Sequence, residues 1–325
     1  MIILVSHFKM KKFKSTINEK SASFKLNKDG MLNLIKKLES NLKLSKIQGN
    51  DIALKKAKER GKSLARERIA KIIDKNSDFM ELMPLAGLKH EGGFGPGGTT
   101  VAGIGYVSNK PCIINSNIGT KKGGAVDYAT SLKNLRLSQI AKENKLTTIN
   151  LVESGGANLP DQDRVFNNYG AMFKEMSRRS KEGILTISVV FGNATAGGAY
   201  VPGMSDYTIM QKGQAKVFLA GPPLVKMATN EESTDEELGG AQMHNTISGV
   251  SDFLGELNSG LNTKIGERGS ILSSGQIQRV ALARLLYRDP EVLILDEFTN
   301  SLDPKNEDFI LEKLKQLQNK KNKTF

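Results

Sequence analysis

Two glycine pairs stand where backbone groups could do chemistry, each just after a stretch that predicts a buried strand. Gly155 and Gly156 follow the apolar run 146–152, and Gly197 and Gly198 follow the run 184–191. Glycine has no Cβ, so a ligand can approach its backbone closely. Two adjacent N–H groups can stabilise an oxygen that becomes negative during a reaction, as in an oxyanion hole. Spacing alone leaves the commoner alternative open, which is a tight turn without chemistry.

A second group of candidate residues lies near the C-terminus. Asp296 and Glu297 end the predicted strand 292–295. The Asp296 carboxylate could hold Mg²⁺ directly or through water, and the Glu297 carboxylate could polarise an attacking water. A glycine-containing turn at the start of a helix could direct N–H groups at an anion. Ser273, Ser274, Gly275 and Gln276 include such a turn before a predicted helix.

The elements that must position the glycine pairs alternate between strand and helix, which is typical of an α/β fold. Ligands in such folds bind beyond the carboxyl ends of the strands, where both glycine pairs fall. The 92–98 segment (GGFGPGG) predicts a loop. The predicted helices are 31–48, 51–74, 125–144 and 163–180, and the predicted strands are 100–107, 111–118, 146–152, 184–191, 207–210 and 215–219.

Several longer motifs carry a family resemblance over about residues 10–254. They are 58–62 (KERGK), 65–69 (ARERI), 153–157 (ESGGA), 194–203 (ATAGGAYVPG), 218–226 (FLAGPPLVK) and 238–241 (LGGA). In this order they resemble carboxyltransferase β subunits of biotin-dependent acyl-CoA carboxylases, most of all the methylcrotonoyl-CoA branch. The resemblance implies a crotonase-like (ClpP/crotonase) fold and transfer of CO₂ from carboxybiotin to the enolate of an acyl-CoA.

The resemblance also implies roles for the glycine pairs. Gly197 and Gly198 match the family's oxyanion pair and are the predicted catalytic residues, while Gly155 and Gly156 match a turn near bound coenzyme A. Expected partners are the acyl-CoA substrate, a biotin carboxylase or biotin carrier subunit, and further copies of the chain. The family's second crotonase-like domain is missing from the sequence, so we expect little or no carboxyl transfer by this chain alone. A non-catalytic remnant that binds coenzyme A is an open alternative.

The C-terminal motifs resemble a different family. Residues 273–276 (SSGQ), 293–297 (LILDE) and 301–303 (SLD) are similar to the signature, Walker B and D-loop motifs of ABC transporter ATPases. A Gly-x-x-x-x-Gly-Lys-Ser/Thr phosphate loop is absent, since Lys56 stands where the first glycine before Gly61-Lys62-Ser63 belongs and that segment predicts a helix. We therefore expect no independent binding or hydrolysis of Mg-ATP.

These resemblances predict three segments. Residues 1–9 are a possible upstream extension, 10–254 an acyl-CoA carboxyltransferase N-terminal domain, and 255–325 a partial ABC ATPase domain without Walker A. The fold class expected for the whole chain is α/β, a crotonase-like domain followed by an incomplete P-loop ATPase fragment. The junction near 254–262 makes the chain a chimera, whether natural, engineered or produced by sequence assembly.

Charge is concentrated at the N-terminal end of the chain. Residues 1–75 carry 20 of the 47 Lys and Arg residues but only 7 of the 34 Asp and Glu residues, which accounts for the whole net charge of +13. Solvated faces of amphipathic helices are the simplest interpretation, and attraction of coenzyme A phosphates or of a partner subunit is the functional one. No aromatic-rich basic motif indicates nucleic acid binding.

Other features narrow the class of protein. The single cysteine, Cys112, excludes a disulfide framework within the chain, is expected in the core, and favours a cytoplasmic location. No run of about 18 apolar residues predicts a membrane span. The three histidines show no metal-ligand spacing, and His244 is expected to pack or cap rather than catalyse.

Overall fold

The computed structural model describes residues 14–255, 310–312 and 314. The chain divides into two compact units, Met1–Leu257 and Asn258–Phe325. The sheet and the helices α1 to α9 belong to the first unit. In the second unit residues 310–312 and 314 are helical, and Leu314 is buried. The possible upstream extension, residues 1–9, lies outside the described residues.

Helices begin where a polar side chain can accept a hydrogen bond from the free N–H groups of the first turn. The Ser21 hydroxyl accepts from the Phe24 amide at 3.1 Å, Asn50 Oδ1 from the Ala53 amide at 2.9 Å, and Asp127 Oδ1 from the Thr130 amide at 2.9 Å. The helices are α1 (Ala22–Ser45), α2 (Asp51–Glu59), α3 (Ala65–Ile72), α4 (Tyr128–Glu143), α5 (Gln162–Lys181), α6 (Tyr200–Gly203), α7 (Pro222–Thr229), α8 (Asp235–Gly239) and α9 (Ala241–Met243).

One eight-stranded sheet runs through the unit. Its strands are β1 (Met80–Glu81), β2 (Thr100–Val107), β3 (Lys110–Asn117), β4 (Thr147–Ser154), β5 (Thr186–Thr195), β6 (Tyr207–Gln211), β7 (Lys216–Phe218) and β8 (Phe253–Gly255). The order is β1-β2-β3-β4-β5-β6-β8, antiparallel from β1 to β3 and parallel from β3 onward. The central strand β4 is buried along most of its length, which is typical of a parallel strand covered on both faces.

The sheet forks at β5. Its first part, Ile187–Val190, pairs with β6, whereas its last three residues, Asn193–Thr195, pair with β7. On the other side β4 pairs with β5 in parallel, so the carboxyl ends of these two strands lie next to each other. Both glycine pairs therefore leave the sheet at one edge.

Most elements expected from the sequence are present, with shifted bounds. The hairpin of β2 and β3 is confirmed, and its turn places Ser108 and Asn109 at φ of 52° and 60°. Cys112 is buried in β3, as expected. The single helix expected over 51–74 is wrong, because residues 60–64 separate α2 from α3.

The break between α2 and α3 has a local cause. Gly61 takes a φ of 64°, and the Lys62 amide donates back to the Ala57 carbonyl at 2.9 Å, which closes α2. The Leu64 amide then donates to the Glu67 carboxylate at 2.8 Å, at the start of α3. Gly61-Lys62-Ser63 thus lies in a loop between helices, and the expectation that it is helical was wrong.

Candidate functional site

The Gly197–Gly198 turn follows directly from the end of β5. Ala196 lies in the left-handed region at φ 50°, and residues Ala196–Ala199 form a single 3₁₀ turn before α6. A non-glycine residue in this region is uncommon and often marks a turn fixed by its surroundings. A Cβ added at Gly198 would lie 3.2 Å from Ser154 Oγ, whereas one at Gly197 would meet nothing within 4 Å. Gly198 therefore faces the protein closely, and Gly197 faces open space.

The amide groups of this turn lack partners elsewhere in the fold. Within residues 14–255, neither the Gly197 nor the Gly198 N–H donates a hydrogen bond to a carbonyl of another loop or to a side chain. An oxyanion hole needs donors that are held by the backbone and not already used by the protein. The first N–H groups of a helical turn have no partner within it, so the Gly197 N–H meets that requirement.

The N–H groups of the Gly155–Gly156 turn are hydrogen-bonded within the protein. The Gly155 amide donates to the Gly123 carbonyl at 2.9 Å, and the Gly156 amide donates to Ser154 Oγ at 3.2 Å. Gly156 has a φ of 89°, and a Cβ there would approach the Thr195 carbonyl oxygen to 3.0 Å. These glycines allow the ends of β4 and β5 to pack together. Their role beside coenzyme A stays a prediction. Because both N–H groups are bonded, the role would depend on how closely a ligand can approach the glycine backbone.

An apolar cleft of about 570 Å³ adjoins the residues that follow Gly198. One ring nitrogen of His244 lies 2.7 Å from the Val217 carbonyl and the other 2.6 Å from Ser248 Oγ. Both nitrogens are engaged within the protein, which confirms that His244 packs. Parts of the lining belong to the family motifs, but the sequence did not predict the cleft. It is lined by Ala199, Tyr200, Gly203, Met204, Val217, Phe218, Leu219, Ala220, Val225, Leu238, His244 and Val250.

Glu153, just before the Gly155–Gly156 turn, forms ion pairs with a residue from each of the motifs 58–62 and 65–69. Its carboxylate pairs with Lys62 at 2.6 Å and with Arg68 at 2.5 Å, and the Arg68 side chain is only 4% exposed. Burial alone would raise the pKa of Glu153, but the two cations outweigh burial and lower it below the usual range. Sequence reasoning missed this cluster, because the two basic motifs and Glu153 are about 85 to 91 residues apart in the chain.

A second, polar cleft of about 510 Å³ opens beside this cluster. Its charged residues are Arg60, Lys62 and Lys216 against the single carboxylate of Glu153, and Lys216 also pairs with Asp235. The remaining lining includes Gly119, Gly123, Asn193, Gly213 and Gln214. An excess of cations in a cleft attracts anionic ligands such as phosphates.

The structure does not bear on the predicted nucleotide site. Ser273, Ser274, Gly275, Gln276, Asp296 and Glu297 all lie outside the described residues. In the part of the chain that the structure describes, no three His, Cys, Asp or Glu residues are grouped so that they could hold a metal ion. No helix there has the length and apolar character of a membrane span.

Comparison with known proteins shows which family the chain resembles. A protein-family model described as a carboxyl transferase domain matches residues 56–279, more than half of the chain and beyond the boundary expected at 254. The probable biotin-dependent acyl-coenzyme A carboxylase beta2 subunit of Mycobacterium tuberculosis is 53% identical over 211 residues, 64% of this chain and 39% of the relative. The mitochondrial methylcrotonoyl-CoA carboxylase beta chain of Arabidopsis thaliana is 42% identical over 243 residues, 74% of this chain and 41% of the relative.

A solved structure extends the likeness to three dimensions. The beta subunit of Pseudomonas aeruginosa geranyl-CoA carboxylase superposes with a TM-score of 0.63 at 34% identity, covering 87% of this chain and 50% of that one. The chain spans about two fifths of the length of the curated relatives named above. Family model, relatives and fold agree, and the chain belongs to the carboxyl transferase domain family.

Proposed function

We propose that this chain binds an acyl-CoA and belongs to a carboxyltransferase component of a biotin-dependent acyl-CoA carboxylase. In the proposed reaction of the whole protein, CO₂ passes from carboxybiotin on a partner protein to the enolate of the acyl-CoA. The observation that carries the proposal is the Gly197–Gly198 turn, where within residues 14–255 neither N–H bonds to another loop or to a side chain and the Gly197 N–H begins the turn.

Loss of a proton next to a thioester carbonyl places negative charge on the carbonyl oxygen. A backbone N–H held close to that oxygen stabilises the charge, and one such donor contributes about 3–4 kcal/mol in other enzymes. Gly197 leaves the approach open, since nothing lies within 4 Å of the position its Cβ would take. The turn can therefore hold the oxygen without supplying a side-chain base, and biotin on the partner protein is the base that the resemblance implies.

The two clefts support the same proposal, because each suits a part of the ligand that lies away from the thioester. The apolar cleft begins at Ala199 and Tyr200, next to the turn, and suits a hydrocarbon acyl group. The polar cleft, with Arg60, Lys62 and Lys216, suits the phosphates of coenzyme A. A methylcrotonoyl-like group is the acyl group that the sequence motifs favour.

Gly197→Ala is the sharpest test of this ligand position. The added methyl group would enter open space, so the fold should accept it, but it would obstruct a thioester at the turn. We expect the affinity for methylcrotonoyl-CoA, measured by isothermal titration calorimetry, to fall about tenfold, or ~1.4 kcal/mol. Gly170→Ala, on the exposed surface of α5 with equally free space, is the matched control and should bind normally. An unchanged Kd for Gly197→Ala would reject the proposal.

For residues 255–325 we propose a partial ABC ATPase domain, supported by the order of the three motifs at 273–276, 293–297 and 301–303. Glu297 would polarise water and Asp296 would hold Mg²⁺, with residues 273–276 facing the γ-phosphate of a nucleotide bound by another subunit. The family-model match reaches residue 279 and so overlaps the first motif. Without a phosphate loop, calorimetry with Mg-ATP should show no binding in the micromolar range. Micromolar affinity would contradict this expectation.

A further inference from the structure

A small cavity lined by both polar and apolar side chains lies between the sheet and the two helices α4 and α5. Its volume is about 50 Å³, enough for a few water molecules or one small ion with water, since one water needs about 10–15 Å³. Gly198 and Ser154 line it on the side of the glycine turn. The lining also includes Asn115, Asn134, Ser138, Thr148 and Arg179.

Arg179 brings a full positive charge to this cavity. It lies in the last turn of α5 and is 2% exposed. Its Nη1 donates to Thr148 Oγ1 at 2.5 Å, and its buried Nε has no hydrogen-bond partner. A buried guanidinium with an unused donor is costly unless another group compensates it.

The nearby carboxylates do not compensate that charge directly. Asp206 accepts from Ser180 Oγ and from the Thr186 amide, both at 2.7 Å, and Glu175 pairs with Lys142 and Arg178. In residues 14–255, no carboxylate lies within ion-pair distance of Arg179. Burial lowers the pKa of Arg179, and the more distant charges of Asp206 and Glu175 offset this only in part.

The rest of the lining is uncharged and combines apolar side chains with hydroxyl and amide groups that can donate. Among its described residues it contains no Asp, Glu or Lys, so the cavity carries the single charge of Arg179. Ser138 Oγ and Asn115 Oδ1 are buried without a hydrogen-bond partner, and Asn115 Nδ2 donates to Asn134 Oδ1 only at 3.4 Å. Hydroxyl and amide donors around one cation form a suitable environment for an anion.

We propose that this cavity is a binding site for a small monovalent inorganic anion of the size of chloride, held by the guanidinium of Arg179. The anion neutralises the buried charge and accepts from the unused Nε–H. The proposal rests on the cavity and on Arg179, and it does not depend on carboxyl transfer. Since Gly198 lines the same cavity, the anion would also support the glycine turn from its protein side.

Bromide is the probe, because it resembles chloride and scatters anomalously. The full chain is exchanged into sodium gluconate, and bromide replaces gluconate at constant ionic strength. At bromide about fivefold above its Kd, the melting temperature should rise by about 2–4 °C. Arg179→Met should lose this rise. Arg178→Met, which removes the same charge from the exposed side of the same helix, should keep it.

Equal bromide responses in the chain and in Arg179→Met would overturn the proposal. If Arg179→Met does not fold, crystals of the unaltered chain in bromide decide the matter. An anomalous peak within hydrogen-bond distance of the Arg179 guanidinium supports the site. Its absence, in crystals where bromide is seen elsewhere on the surface, rejects it.

Discussion

At the scale of single residues, the site is organised around backbone groups and one buried carboxylate. Gly197 offers an N–H group at the start of its turn, whereas Glu153 holds Lys62 and Arg68 together beside the polar cleft. Because Arg68 is almost fully buried, the carboxylate of Glu153 is its principal compensation. This pair differs from the exposed ion pairs on the helices, which contribute little to stability.

Replacing Glu153 by Gln should show that this buried pair contributes more to stability than an exposed ion pair does. The change keeps the shape but leaves the buried charge of Arg68 uncompensated, so the free energy of unfolding at pH 7 should fall by about 3–5 kcal/mol. Because the folded-state pKa of Glu153 is lowered, its contribution is present above the unfolded pKa, about 4.3, and is lost as pH falls through the folded pKa. Urea unfolding measured from pH 7 to pH 3 tests both statements.

Glu143→Gln is the matched control for that measurement. Glu143 pairs with Arg136 at 3.3 Å, but both side chains are at least half exposed. The substitution should change the free energy of unfolding by less than about 1 kcal/mol. Equal effects for Glu153→Gln and Glu143→Gln would show that the buried cluster is not a stabilising unit.

At the scale of elements, α4 fixes the glycine-rich loop that precedes β2. Lys133 of α4 is 2% exposed and donates to the Gly97 carbonyl at 3.2 Å and to the Thr100 carbonyl at 2.8 Å. Asp127 at the start of α4 accepts from the Phe94 amide at 2.8 Å. A loop without regular structure is thereby held against a helix by side chains from that helix.

Lys133 gives this attachment a pH dependence. Burial lowers the pKa of Lys133 to about 8, below its unfolded value of about 10.4. Between these values the unfolded chain binds more protons, so the free energy of unfolding should rise with pH by up to about 3 kcal/mol relative to Lys133→Met. Urea unfolding of the chain and of this variant at pH 7, 8.5 and 10 measures the difference. Lys181→Met, at an exposed position, should show no such trend.

The sequence predicted the local elements better than the contacts between them. The strands that became β4 and β5 and the glycine turns after them follow from apolar runs and glycine pairs, which are local signals. The break at residues 60–64 was missed, because an isolated glycine in a helical pattern does not by itself end a helix. Glu153 with Arg68, Lys133 with its loop, and the Arg179 cavity depend on tertiary packing, so no spacing in the chain indicates them.

At the scale of the whole molecule, the basic end of the chain raises a question that binding measurements can answer. Residues 1–75 account for the net charge of +13, and Arg60 and Lys62 from this region line the polar cleft. If these charges attract coenzyme A phosphates, the Kd for methylcrotonoyl-CoA should rise several-fold as salt is raised from about 0.05 M to 0.5 M. A Kd that changes less than about twofold would favour solvated helix faces instead.

The fork of the sheet has a consequence for the range of substrates. The short strand β7, which carries Val217 and Phe218 into the apolar cleft, is joined to β5 over only three residue pairs, while β6 takes the earlier part of β5. A shift of this short strand would widen or narrow the apolar cleft without disturbing β6. Tolerance for longer or bulkier acyl chains should therefore depend on residues that anchor β7 more than on the glycines proposed to receive the thioester.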